Sequence, residues 1–153
     1  MTKAVFCDID GTLIDVTKGQ TKVTHKVYEA LKAAQNAGHY IFLATGRPFT
    51  YIDPGLLNLG FDGLVLMNGA VVVIRDKVIF EEPLENSIVK NIVDTCESNE
   101  IEYILQGYPK VYLRPEFKLM EKFYSGLEID ISKFERNFNI DDIVKRQMTI
   151  RLD

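Results

Sequence analysis

The chain has 153 residues, 46% of them hydrophobic and 26% charged, with a net charge of -4. That length fits one ordinary domain or one and a half small ones, with enough apolar material for a sizeable core. The acidic balance and the lack of a basic stripe argue against a nucleic-acid surface. No apolar run is long enough for a signal peptide or a membrane span, so no membrane partner is expected.

In chain order, "KAVFC" is a short β-rich run. "THKVYEALKAAQNAG" places Val27, Leu31 and Ala34 at helical spacing, with Thr24 as its N-cap and Gly38 as its stop. "YIFLAT" is a second buried strand, "PFTYIDPGLLNLG" is helical in part with Pro54 interrupting it, and "GLVLMNG" is a third strand. Continuous apolar strands alternating with helices predict a parallel α/β sheet.

The rhythm then changes. "AVVVIRDKVIFEE" predicts a hairpin turning at Arg75-Asp76-Lys77. "SIVKNIVDTCESNE" predicts an amphipathic helix with Ile88, Ile92, Val93 and Cys96 on its apolar face. "EYILQ" and "KVYLR" are strands around Gly107-Tyr108-Pro109, "PEFKLMEKFY" is a helix, "NIDDIVKRQ" starts another, and "QMTIRLD" is a last strand. The reading is two domains, residues 1–82 and 83–153, the second an α+β module reached through Glu81-Glu82-Pro83. Cys7 and Cys96 stand far apart with no CxxC, which predicts free thiols, suited to a reducing cytoplasm.

Ligands of a parallel sheet bind beyond the carboxyl ends of its strands. "FCDIDGT" and "FLATGRP" both place polar residues there. Strand side chains alternate, so Asp8 and Asp10 project to the same side, and Gly11 permits a sharp turn. Thr45-Gly46 offers a hydroxyl and an unhindered amide, and a right-handed crossover lays both strands in one sheet. Of two such acids, one can attack phosphorus while the other carries the leaving-group proton. Together they also attract a hard cation such as Mg²⁺, which shares oxygen ligands with substrate phosphate. Thr45, Gly46 and amides near Gly11 would hold the phosphoryl oxygens.

"DIDGTL" resembles the first motif of the haloacid dehalogenase-like phosphohydrolases and "LATGRP" the second. With "MNGA" after the third strand and an α+β module behind it, the chain resembles the amino-terminal portion of their Cof-type branch. The resemblance implies part of a Rossmannoid core over residues 1–82 and the first part of an inserted cap over 83–153. It implies a Mg²⁺-dependent phosphatase of small phosphorylated metabolites, sugar phosphates among them, working through an aspartyl-phosphate. Asp8 would be the nucleophile and Asp10 the general acid and base, with Mg²⁺ on the Asp8 carboxylate and the Asp10 carbonyl. Thr45 and Gly46 would bind the phosphoryl group, with Gly11 and Thr12 shaping its loop. Arg47 and Asn68 lie where such proteins contact substrate or set the cap hinge, a surface salt bridge being the other role open to Arg47.

The family also uses a lysine and a late acidic motif, both placed after the cap. None of Lys110, Lys118, Lys122, Lys133 or Lys145 follows a core-type strand, so these parts are not found in the sequence. The expectation is therefore the front portion of a longer phosphatase, poorly active alone and self-associating through "KAVFC" as a bare sheet edge. The alternative is a non-catalytic remnant that binds phosphate or a partner through the open cleft. A receiver-like acidic pocket fits less well, given the D-x-D-G-T order. Asp141-Asp142 reads as a helix start, and His25 and His39 as surface or edge residues.

Overall fold

A computed structural model describes residues 1–127, 129–144 and 149–151. Lys145, Arg146, Gln147, Met148, Leu152 and Asp153, which fall in the predicted helix start and last strand, lie outside the described residues. Contacts divide the chain into one unit of Met1–Arg47 with Ile52–Glu81, and another of Pro48–Tyr51 with Glu82–Asp153.

In the first unit, β1 (Ala4–Cys7), β2 (Tyr40–Ala44) and β3 (Gly63–Leu66) run parallel, with Phe6 opposite Phe42 and Phe42 opposite Gly63. The β1–β2 crossover carries α1 (His25–Asn36), where the Thr24 side chain accepts from the Val27 N–H and Gly38 turns out at φ 83°. Val27, Leu31 and Ala34 are half-buried, and no residue of α1 is fully buried. β4 (Val71–Ile74) and β5 (Lys77–Glu81) then join the same sheet antiparallel, giving the order β1-β2-β3-β4-β5. The sheet is thus mixed. Arg75 (φ 49°) and Asp76 (φ 61°) form the hairpin turn, two positive-φ residues whose twist suits a tight β-connection.

Pro54 does not interrupt a helix; it opens α2 (Pro54–Leu57), capped by the Asp53 side chain on the Gly55 N–H. Proline suits a first helical turn because its missing N–H would have no partner there.

In the second unit, α3 (Asn86–Ser98) precedes a three-stranded sheet. β6 (Ile104–Gln106) is central, with β7 (Val111–Tyr112) and β8 (Thr149–Arg151) antiparallel on either side. α4 (Lys118–Gly126) and α5 (Ile140–Val144) complete it. Strand alternation feeds two apolar clusters. One gathers Val89, Val93, Cys96, Tyr103, Leu105, Tyr112 and Ile143, and the other Tyr51, Ile104, Val111, Leu113, Tyr124 and Phe134. The buried face of α3 is therefore Val89, Val93 and Cys96, while Ile88, expected inside, is 43% exposed. Pro48–Tyr51, which the sequence reading ran on within residues 1–82, belongs here by contact because Tyr51 stacks on Phe134 and accepts from Gln106 Nε2 at 3.2 Å. Both cysteines are free, Cys96 buried and Cys7 half-buried. No helix among the described residues is long and apolar enough to cross a membrane.

Candidate active site

The site lies in the first unit, where β1, β2 and β3 end together. A cleft of about 270 Å³ is lined by Asp8, Ala44, Thr45, Gly46, Val65, Asn68 and Gly69. Parallel pairing carries the residue after β1 to the same edge as those after β2 and β3, although Asp8 and Asn68 are far apart in sequence.

β1 ends in a wound turn. The N–H groups of Thr12, Leu13 and Ile14 all donate to the Ile9 carbonyl, at 3.3, 3.0 and 3.0 Å, and the Gly11 N–H donates to Ile14 O at 2.7 Å. Gly11 holds φ 77°, a left-handed conformation a side chain would strain. The turn engages the Gly11 and Thr12 amides that the sequence reading offered to phosphate, and neither residue lines the cleft. Ile9 and Leu13 point into the core and leave Asp8 and Asp10 exposed.

After β2 the chain forms a small cradle. Thr45 is buried, its N–H donates to Val65 O at 2.9 Å, and its Oγ1 accepts from the Arg47 N–H at 3.1 Å. A hydroxyl is both donor and acceptor, so accepting this bond does not use the Thr45 hydroxyl hydrogen. A Cβ on Gly46 would fall 2.9 Å from Asn68 Oδ1, so only glycine lets the Asn68 amide lie against this backbone. Asn68 gets there because Met67, Asn68 and Gly69 are successively left-handed, at φ 50°, 57° and 98°. Such backbone is costly for non-glycine residues and concentrates at functional sites. Here it is anchored by the Asn68 N–H on Thr45 O at 3.2 Å and the Met67 N–H on Arg47 O at 3.3 Å.

Asp10 and Arg47 do not line the cleft; they pair with each other. Arg47 Nε donates to Asp10 Oδ2 at 2.9 Å and Nη2 to Oδ1 at 2.6 Å, a two-pronged fork. Of the two roles open to Arg47 in the sequence, the salt bridge is present in the structure. Burial pushes the thiol pKa of Cys7, next to Asp8, up and so lowers its thiolate fraction.

These residues fit a hard cation only in part. Among the described residues, no three His, Cys, Asp or Glu side chains gather as one metal-binding group, and the Asp10 carboxylate is engaged by Arg47. The Asp8 carboxylate and main-chain carbonyls remain as oxygen donors at the end of β1.

The family model described as haloacid dehalogenase-like hydrolase matches residues 5–152. The chain belongs to the haloacid dehalogenase-like hydrolases. YkrA of Bacillus subtilis strain 168 is 31% identical over 99 residues, which cover 65% of this chain and 37% of YkrA. The phosphoglycolate phosphatase of Methanobrevibacter smithii is 33% identical over 96 residues, 63% of this chain and 37% of its own. The sugar phosphatase BT4131, of haloacid dehalogenase subclass IIB, superposes with a TM-score of 0.74 at 28% identity, over 95% of this chain and 56% of BT4131. The match thus spans little more than a third of these curated relatives and about half of that structure.

Sequence reasoning missed Ala44, Val65 and Gly69 as lining residues. Their signal was available for Gly69, which follows Asn68 in a turn-forming pair.

Proposed function

We propose that this chain carries the nucleophile and phosphate cradle of a Mg²⁺-dependent phosphatase acting on small phosphorylated metabolites of the sugar phosphate class. The observation that carries the reading is the shared cleft, whose lining includes Asp8, Thr45, Gly46 and Asn68. Named relatives that act on phosphoglycolate and on sugar phosphates support the substrate class.

In this mechanism a carboxylate oxygen of Asp8 attacks phosphorus and the bond to the leaving oxygen breaks. Asp10 gives that oxygen a proton. Water then attacks the phosphorus, the bond to Asp8 breaks, inorganic phosphate leaves, and Asp10 takes the proton that water gives up. Thr45 donates its hydroxyl hydrogen to a phosphoryl oxygen, and Asn68, held against Gly46, helps to orient the group. Mg²⁺, held by the Asp8 carboxylate and the Asp10 carbonyl, would supply positive charge against the phosphate when bound. Among the described residues β1 is paired on one edge, by β2, which supports self-association, and two free thiols suit a reducing cytoplasm.

Phosphate binding without turnover is the second reading, favoured by the lack of a third metal-binding carboxylate among the described residues. Hydrolysis of a generic phosphate monoester with and without Mg²⁺, in the protein and in Asp8→Asn, separates the two. The first reading expects Mg²⁺-dependent release of phosphate that Asp8→Asn abolishes. Phosphate binding that persists in both proteins with no hydrolysis in either supports the second.

A further inference from the structure

We propose that Arg47 is a positioning residue for Asp10, fixing the plane of its carboxylate for the proton transfers of the phosphatase cycle; the inference rests on the reading above. The fork is made by two hydrogen bonds, at 2.9 and 2.6 Å, from a planar guanidinium to both carboxylate oxygens. It removes the rotation that an aspartate on an exposed turn would otherwise have. Each oxygen still keeps a second lone pair for a proton passing to or from a ligand.

Stability does not account for the pair. The Asp10 side chain is 55% exposed, and ion pairs so wet contribute little to folding. Arg47, by contrast, is built in. Its side chain is 23% exposed, its N–H is held by Thr45 Oγ1 and its carbonyl accepts from Met67 N–H. The backbone that supports the cradle therefore also supports the fork. A shift at Thr45 or Met67 is carried into the orientation of Asp10, which ties the proton-carrying group to the phosphate-holding one.

The test uses 4-nitrophenyl phosphate, whose leaving group needs no proton, so Asp10 matters only when water attacks the phosphate on Asp8. Rapid mixing reads the first release of 4-nitrophenolate, and acid quenching reads phosphate bound to protein. In Arg47→Met the first release should stay within about threefold of the unsubstituted protein, while later turnover falls about tenfold or more and bound phosphate accumulates. Arg47→Lys, which keeps the charge but cannot fork, should fall between the two. An equal fall in both phases, a change in KM alone, or Arg47→Lys matching the unsubstituted protein overturns the positioning role and leaves the site reading intact. No protein-bound phosphate in any variant, with hydrolysis indifferent to Asp8→Asn, overturns the site reading and this inference with it.

Discussion

Two short apolar strands, Ala4–Cys7 in the first unit and Ile104–Gln106 in the second, read alike in sequence and differ in burial. In β1, Phe6 is 59% exposed, stacked on Phe42 at 5.0 Å with little else over it. In β6, Ile104 and Leu105 are both fully buried, between neighbours on either edge and an apolar cluster on either face. An apolar run predicts a strand; its neighbours decide whether the strand is inside. The proposed nucleophile, Asp8, follows the less covered strand, which among the described residues pairs only with β2.

The largest expected effect that tests this contrast is on stability. Leu105→Ala should lower the unfolding free energy by about 2–5 kcal/mol, through lost transfer energy and the cavity left behind. Phe6→Ala should lower it by about 1 kcal/mol or less, since the ring is half in water. Urea unfolding of both variants reads the difference. Equal losses would mean that β1 is covered in solution, and sedimentation velocity on the same samples would show whether a second copy covers it.

A smaller effect concerns the alkaline limb of the second unit. Tyr103 is buried, accepts from Arg114 Nε at 3.2 Å and donates to Glu97 at 2.9 Å. Burial, first, pushes its pKa up to about 12, with the nearby Arg114 opposing and Glu97 assisting. A raised folded-state pKa favours the protonated phenol in the native state. The contribution is full below the ordinary tyrosine value near 10 and is lost as pH climbs to about 12. Stability measured across that window should fall less steeply in Tyr103→Phe. An identical slope would place the burden on other groups.

What could be read from the sequence was local. Thr24 and Gly38 mark the ends of α1 because capping and left-handed turns act within a few residues. The spacing of Asp8 and Asp10 after "KAVFC" and of Thr45-Gly46 after "YIFLA" located the mouth of the sheet for the same reason. Non-local choices were not legible. Periodicity alone could not choose between Ile88 and Val89 as the inner residue of α3, because the strands that pack on it decide. Nor could it show that Tyr51 would be claimed by Tyr124 and Phe134, or that Arg47 would find Asp10, 37 positions away. The left-handed run from Met67 to Gly69 was visible only as a turn, while its consequence, Asn68 lying on Gly46, depends on two strand ends meeting.

The central claim is that Asp8 accepts the phosphoryl group, and peptide mass spectrometry after acid quenching tests it most directly. The protein is mixed with 4-nitrophenyl phosphate and Mg²⁺, quenched and digested. The account predicts one phosphoryl group on the peptide that contains Asp8, absent from Asp8→Asn and more abundant in Arg47→Met. A phosphoryl group on any other residue, or hydrolysis that continues unchanged in Asp8→Asn, would contradict it.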